Sequence, residues 1–460
     1  MLLVVIIALT VNAQDITGEW NGALKIQGMQ LRIVFHVTKT DAGYAATMDS
    51  PDQGAKGIAM SKASYNNQAL TIELAAAKIN YSGAFDNKET VTGTFNQGGQ
   101  SFPLNLTRKA IEKLDAKRPQ NPLKPYPYYS EEVTFVNNKD NITLAGTLTL
   151  PNKEGKFPVV VLITGSGPQN RDEELMGHKP FLVISDYLTR NGIGVLRYDD
   201  RGCYESKGNF AKATTNDFAT DVEAAVNYLK TRKDIDVKHI GLIGHSEGGI
   251  IAPIVASKNK SVSYIVLMAG TAIPGSELLL RQQDLIGRAS GMKNDELKTT
   301  AELNTHIFKL IDEYQNTDTL KSKITNYLLE QSKVHPEMKI PEGKTVNDII
   351  EMQLAQLMSP WMLNFIRYNP APTLEKVTCP VLAINGDKDL QVPSNVNLPA
   401  IDKALKKGGN NKSTIKELPG LNHLFQECKT GLPNEYGEIQ QTISPVALEI
   451  MTVWIKQHIK

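Results

Sequence analysis

Four prolines between Lys117 and Tyr129, at positions 119, 122, 125 and 127, divide this chain into two parts whose apolar residues repeat with different periods. Ahead of them apolar and polar residues alternate singly. Beyond them short, wholly apolar runs alternate with stretches of helical spacing. One layer architecture does not accommodate both patterns, so the chain must fold as at least two domains. Its 460 residues leave room for them. The proline-rich stretch, which stays extended, is expected to space the two semi-rigidly.

The front part, residues 14–112, shows period-two segments at Leu31–Val37, Tyr44–Met48, Leu70–Leu74, Ile79–Phe85, Thr90–Phe95 and Phe102–Thr107, with Gly, Asn and Asp between them. Such spacing predicts a small all-β sandwich or barrel. His36 is its one histidine, and no nucleophile pair is evident there. The linker is placed at 113–130.

From residue 131 to 460 the pattern is that of an α/β domain. Ile142–Leu150, Val159–Thr164, Val195–Tyr198, Ile240–Ile243 and Tyr264–Met268 read as strands, with helices at Phe181–Arg190 and Phe218–Leu229 between them. Runs apolar on both faces require a mostly parallel sheet covered on both sides. Residues 271–378 then interrupt the pattern with helical composition at Leu278–Ile286, Asp295–Tyr314, Leu320–Val334 and Val346–Leu357. A connection of that length is too long to lack structure in a compact domain, which predicts a helical cap inserted in the sheet domain. Strands resume at Val381–Ile384 and Ser413–Leu418, and a helix at Pro445–His458 closes the chain.

Residues 1–13 form an apolar run ending in Val11-Asn12-Ala13, the pattern of a signal peptide, although no basic residue stands at its front. It is too short to span a bilayer, and no cysteine follows the expected cleavage point, which argues against a stable membrane anchor. A secreted or periplasmic protein is expected. With 50 Lys and Arg against 49 Asp and Glu the net charge is +1, so no basic field exists to hold nucleic acid. Cys203, Cys379 and Cys428 are too few and too far apart for a disulfide framework or a structural zinc site.

The most informative stretch runs from Ile240 through Gly244-His245-Ser246-Glu247-Gly248-Gly249 to Ala252. An apolar strand enters Gly-x-Ser-x-Gly and a helix leaves it, which is the nucleophile elbow. The turn is so tight that Gly244 and Gly248 leave no room for side chains, and Ser246 projects above the sheet edge. The backbone N–H of Glu247 then faces the same place as the hydroxyl, beside a helix N-terminus, and can hold an oxyanion. A serine hydroxyl needs a base and an orienting acid. Candidates stand after later strands: Asp387 and Asp389 follow Val381–Ile384, and His423 follows the strand ending at Leu418. Loops at the carboxyl ends of parallel strands are where such sheets assemble their sites.

Five motifs occur in order: Thr164-Gly165-Ser166-Gly167-Pro168, Arg197-Tyr198-Asp199-Asp200-Arg201-Gly202, Gly244-His245-Ser246-Glu247-Gly248-Gly249, Gly386-Asp387-Lys388-Asp389 and Gly420-Leu421-Asn422-His423. With them, the chain from about Glu131 to Lys460 resembles the α/β-hydrolases, and specifically the bacterial carboxylesterases of the serine-aminopeptidase-like hydrolase group. The resemblance does not extend to the β domain. Cys203 departs from it, standing where relatives more often carry a small apolar residue. The resemblance implies that Ser246 is the nucleophile, His423 the base and Asp389, ahead of Val392-Pro393, the acid, with Asp387 its rival. It implies the backbone N–H of Ser166 as second oxyanion donor beside Glu247, with Gly167 the alternative, and a reaction without cofactor or metal.

Other residues carry plainer readings. His245 belongs to the elbow and cannot easily fold back onto its neighbour's hydroxyl; His178, His306 and His335 read as surface or cap residues. The charged run Arg171-Asp172-Glu173-Glu174 reads as a solvated face or local ion pairs, ahead of a grip on a polar substrate group. Trp361, Phe365, Ile366 and Tyr368 read as core between cap and sheet, ahead of an acyl pocket, and Cys379 as a small buried hydrophobe. The leading expectation is a serine carboxylesterase acting on small to medium acyl esters through an acyl-enzyme. A peptidase or amidase on short peptides and an acyltransferase are the enzymatic alternatives. A glycan- or lipid-binding protein is the alternative outside enzymes.

Overall fold

The alternation ahead of the linker closes into a barrel. The computed structural model of the chain describes residues 15–26, 29–86, 89–98, 100–112, 118–334 and 345–459. Its front part holds strands β1 (Gly18–Ile26), β2 (Met29–Thr40), β3 (Gly43–Ser50), β4 (Ala55–Ala59), β5 (Lys62–Asn66), β6 (Ala69–Leu74), β7 (Ile79–Phe85), β8 (Thr90–Gln97), β9 (Gln100–Pro103) and β10 (Leu106–Thr107). All pairings are antiparallel. The path β1-β2-β3-β5-β6-β7-β8 returns to β1 through β10, which pairs with both ends. Closure leaves that ring without open edges. The inward residues Trp20, Phe35, Tyr81 and Phe95 are fully buried, so side chains fill the interior. Strand β1 is absent from the alternating segments of the sequence because Gly18 and Gly22 share its inward face with Trp20 and Leu24 and leave that face with few apolar side chains. It is secured instead by nine residues of pairing with β2.

Contacts divide the described residues into two units, before and after residues 113–117, which lie outside them. The second unit contains β11 (Tyr129–Asn137), β12 (Ile142–Leu150), β13 (Phe157–Ile163), β14 (Gly194–Tyr198), β15 (Ile235–His245), β16 (Val262–Met268), β17 (Val381–Gly386) and β18 (Ser413–Leu418). Their order in the sheet is β11-β12-β14-β13-β15-β16-β17-β18, parallel from β14 onward and antiparallel at β11 and β12. Helices α1 (Pro180–Arg190), α2 (Thr215–Thr231), α3 (Gly248–Lys258), α10 (Ser394–Lys407) and α11 (Pro445–His458) cover it.

The apolar runs are explained by this two-sided cover. On β13, Val159, Val161 and Ile163 pack with α2, α3 and α10, whereas Val160 and Leu162 pack with α1 and α11. Strands β16 and β17 divide their residues the same way. The insertion between β16 and β17 is helical, as expected: α4 (Gly275–Ala289), α5 (Asn294–Glu313), α6 (Thr317–Val334), α7 (Val346–Leu357), α8 (Pro360–Arg367) and α9 (Ala371–Leu374). It has a core of its own around Ile311, Leu320, Ile324 and Leu354.

The proline-rich stretch is not a free spacer over its described residues. The Arg118 guanidinium donates to the carbonyls of Met176, Gly437 and Ile439, and Gln120 bonds the backbone of Thr442 and Ile443. Residues from 118 onward are thus fastened to the second unit. No helix among the described residues is long and apolar enough to cross a membrane. The apolar run 1–13 and His335 lie outside those residues.

Candidate active site

Strand β15 delivers Ser246 at φ +54°, a left-handed conformation that costs a residue with a side chain about 1 kcal/mol. Two backbone bonds hold it there, Ser246 N–H to Met268 O and Gly249 N–H to Ser246 O, each 2.9 Å. A Cβ on Gly244 would fall on the carbonyl of Gly248, and one on Gly248 on the carbonyl of Ile163. Both glycines are therefore dictated by close backbone approach, as the elbow motif requires. Ser246 is half-buried, while His423 and Asp389 are buried.

Three residues remote in sequence meet at this sheet edge. His423 Nε2 lies 3.1 Å from Ser246 Oγ, and His423 Nδ1 lies 2.7 Å from Asp389 Oδ2. The other Asp389 oxygen accepts the N–H groups of Gln391 and Val392, both at 2.8 Å. The carboxylate is thus held on one side by the backbone and offers the other to the imidazole. Asp387 instead accepts Gly420 N–H at 2.6 Å and braces the turn that leads to His423.

The loop after β13 lies against the serine: a Cβ added to Gly165 would sit 3.2 Å from Ser246 Cβ. Ser166 follows, exposed, and Gly167 takes φ +98°. The loop is anchored from below by Asp200, which accepts Thr164 Oγ1 at 2.7 Å and Gln169 N–H at 2.9 Å. Burial raises the Asp200 carboxyl well above its ordinary range, against the two hydrogen bonds, with the nearby Glu247 and Glu173 carboxylates adding to the rise. The Asp199-Asp200-Arg201 motif is therefore structural. Its neighbour Cys203 is buried, with its backbone joined to Asp200 and Ser206.

Glu247 immediately precedes α3, where its backbone N–H is expected to face an oxyanion. Its side chain points into the protein, accepting Thr215 Oγ1 at 2.7 Å and Trp361 Nε1 at 2.8 Å on one oxygen. Burial raises its pKa, and the two donors offset part of that rise. Trp361 comes from cap helix α8 and stacks on Phe365 at 5.2 Å. That aromatic stripe is core between cap and sheet, and Trp361 also reaches the residue beside Ser246. A second cap contact joins Gln282 of α4 to Gln391 in the Asp389 loop.

The charged run resolves into separate partners. Arg171 pairs with Asp199 at 2.6 Å, Asp172 with Arg197, and Glu173 with His245 at 2.9 Å. Its reading as local ion pairs holds; the Glu173–His245 pair is buried, whereas Arg171 and Asp172 are half-buried and Glu174 is exposed. His178 corrects its surface reading. It is fully buried, with Nδ1 at 3.0 Å from Thr442 Oγ1 and Nε2 at 2.9 Å from the Tyr436 carbonyl. His306 is exposed on the cap, stacked on Tyr327. Cys379 is half-buried against the main core. The sequence reading did not foresee the bonding of Glu173, His245 and Trp361. The available signals were the charged run and the tryptophan at helical spacing, but their partners lie 72 and 114 residues away.

The profile of the X-Pro dipeptidyl-peptidase (S15) family matches residues 140–398. Esterase EstD of Thermotoga maritima is 30% identical over 204 residues, which cover 43% of this chain and 49% of that protein. The chain thus matches about half the length of that relative. Among solved structures, the α/β hydrolase GrgF of Penicillium sp. sh18 is 16% identical, with 72% of this chain and 99% of that one covered and a TM-score of 0.43. The Pyrococcus furiosus esterase Pf2001 is 15% identical, with 72% and 91% covered and a TM-score of 0.42.

Proposed function

The chain belongs to the X-Pro dipeptidyl-peptidase (S15) family, and we propose that it is a serine hydrolase that cleaves carboxylic esters of small to medium acyl groups through Ser246, His423 and Asp389. The supporting observation is the unbroken hydrogen-bond chain from Asp389 through His423 to Ser246. On this reading His423 Nε2 takes the Ser246 proton as Oγ attacks the acyl carbon. Asp389 holds Nδ1–H toward itself and stabilises the imidazolium. The oxyanion forms between the N–H groups of Glu247 and Ser166. Collapse expels the alcohol with the proton from His423, and water repeats the sequence on the acyl-enzyme. The cap supports a limit on substrate size, because α8 reaches Glu247 beside Ser246 and α4 reaches Gln391 in the Asp389 loop.

The S15 match favours a second reading, hydrolysis of short peptides, since the same three residues cleave both bonds. A panel of p-nitrophenyl esters of rising chain length, run beside aminoacyl and X-Pro nitroanilides, separates the two; faster turnover of the esters is expected. Ser246→Ala is expected to lower kcat by up to ~10⁶ with the fold retained. Near-parental turnover in that variant, free of host esterase, would falsify the assignment. We also propose export to the periplasm or medium, on the apolar run 1–13. Amino-terminal sequencing of mature protein should then begin at Gln14.

A further inference from the structure

His245 is the residue before the nucleophile, yet its ring serves neither Ser246 nor solvent. Its Nε2 lies 2.9 Å from the backbone carbonyl of His423, and its Nδ1 lies 2.9 Å from Glu173 Oε1. The same Glu173 oxygen accepts Gly165 N–H at 2.7 Å. Both side chains are buried, and the His245 and His423 rings are 4.9 Å apart. A carbonyl oxygen can only accept, so Nε2 must carry a hydrogen. One more proton must then lie between Nδ1 and Glu173 Oε1. Burial alone would depress the imidazole; the Glu173 carboxylate more than offsets it and holds the ring above its ordinary pKa. Asp389 and His423 face it from the loops after β17 and β18, and Asp200 faces Glu173 from the loop after β14.

Three loops from different strands are joined by this pair, and each carries one part of the proposed machinery: Gly165 beside the oxyanion donor Ser166, His245 beside the nucleophile, and His423. Glu173 itself sits at φ +51°, a left-handed conformation that persists only where surroundings over-determine it.

We propose that Glu173 and His245 are positioning residues that clamp the main chain of His423 to the Gly165 loop, keeping base and oxyanion donor at fixed spacing about Ser246. The inference rests on the triad reading above. It concerns geometry at the reacting atoms, so its loss acts on kcat rather than on substrate affinity.

The test uses full-length protein and p-nitrophenyl acetate, with folding checked by circular dichroism. Glu173→Gln keeps the shape but removes the charge, and a neutral His245 cannot donate from both nitrogens. Glu173→Gln and His245→Ala are each expected to lower kcat about tenfold to a hundredfold with KM nearly unchanged, the size of effect that follows from a misplacement near 1 Å. His245→Gln, whose amide can still donate to the His423 carbonyl, should recover most of the loss of His245→Ala. Folded variants with parental kcat, or with changes in KM alone, would overturn the proposal. Failure of all three to fold would also overturn it, because the pair would then be a folding element. Ser246→Ala separates the two readings. If it stays active, the triad itself is misassigned. If it is dead while the pair variants are unaffected, only the positioning role falls.

Discussion

Asp387 and Asp389 stand two residues apart in one loop, and their neighbours give them different work. Asp389 is buried, with two backbone donors on one oxygen and His423 on the other; Asp387 holds a turn. On the proposed mechanism Asp389→Asn sets the wrong imidazole tautomer and should lower kcat by about 10⁴. Asp387→Asn should do far less, and a reversed order in ester assays would move the acid to Asp387. His178 supplies a pH dependence of its own. Burial, aided by the nearby Arg118 cation and opposed by backbone carbonyls, pushes its pKa down from 6.5 to about 4. A folded pKa below the unfolded one means the unfolded chain takes up the proton first. The stabilisation is therefore complete above pH 6.5 and is lost as pH falls toward about 4. The loss from this group amounts to about 3 kcal/mol at most. Urea unfolding of the parent and of His178→Gln between pH 4 and 7 should show a shallower slope in the variant; equal slopes would assign the dependence elsewhere.

Elements act here through their ends and through single reaching side chains. The cap carries its own core, yet α8 is tied to the elbow by one hydrogen bond from Trp361 to Glu247. Trp361→Phe keeps an aromatic ring to stack on Phe365 and deletes only the donor. Glu247 then retains Thr215 alone, and the expected destabilisation is about 1–3 kcal/mol, read from the urea midpoint. An unchanged midpoint would show that stacking alone seats the cap. The elbow tolerates less. Gly244→Ala drives a methyl into the carbonyl of Gly248, and backbone cannot yield as a flexible side chain can. Loss of activity together with a lowered thermal midpoint is expected.

At the scale of the molecule, the barrel core around Trp20 and Tyr81 and the two cores flanking the parallel sheet are separate clusters. Each unit buries its own apolar surface, so the second should fold without the first. Where it begins matters. A chain starting at Arg118 keeps three hydrogen bonds from one guanidinium to the carbonyls of Met176, Gly437 and Ile439. A chain starting at Glu131 leaves those carbonyls without that donor and should be less stable by about 3 kcal/mol or more. Equal thermal midpoints for the two chains would show that water replaces Arg118 without penalty.

The apolar periods and the motifs made most of the architecture legible without coordinates. Alternation at period two could only become a two-sided antiparallel sheet, and runs such as Val159–Ile163, apolar at every position, could only lie between two helical layers. Gly-x-Ser-x-Gly between strand and helix carries its own backbone geometry. Such signals are local: each residue's requirement is met by neighbours within a few positions. What remained for the tertiary structure were pairings across long separations. The choice of barrel over sandwich rested on β10 meeting both β1 and β8. The division of labour between Asp387 and Asp389 rested on which carboxylate the loop aims at His423. The bonds Glu173–His245, Trp361–Glu247 and Arg118–Ile439 join residues 72, 114 and 321 positions apart. Composition and spacing carry no record of such partners, because a buried charge or indole is satisfied by whatever donor or acceptor the folded chain brings within about 3 Å.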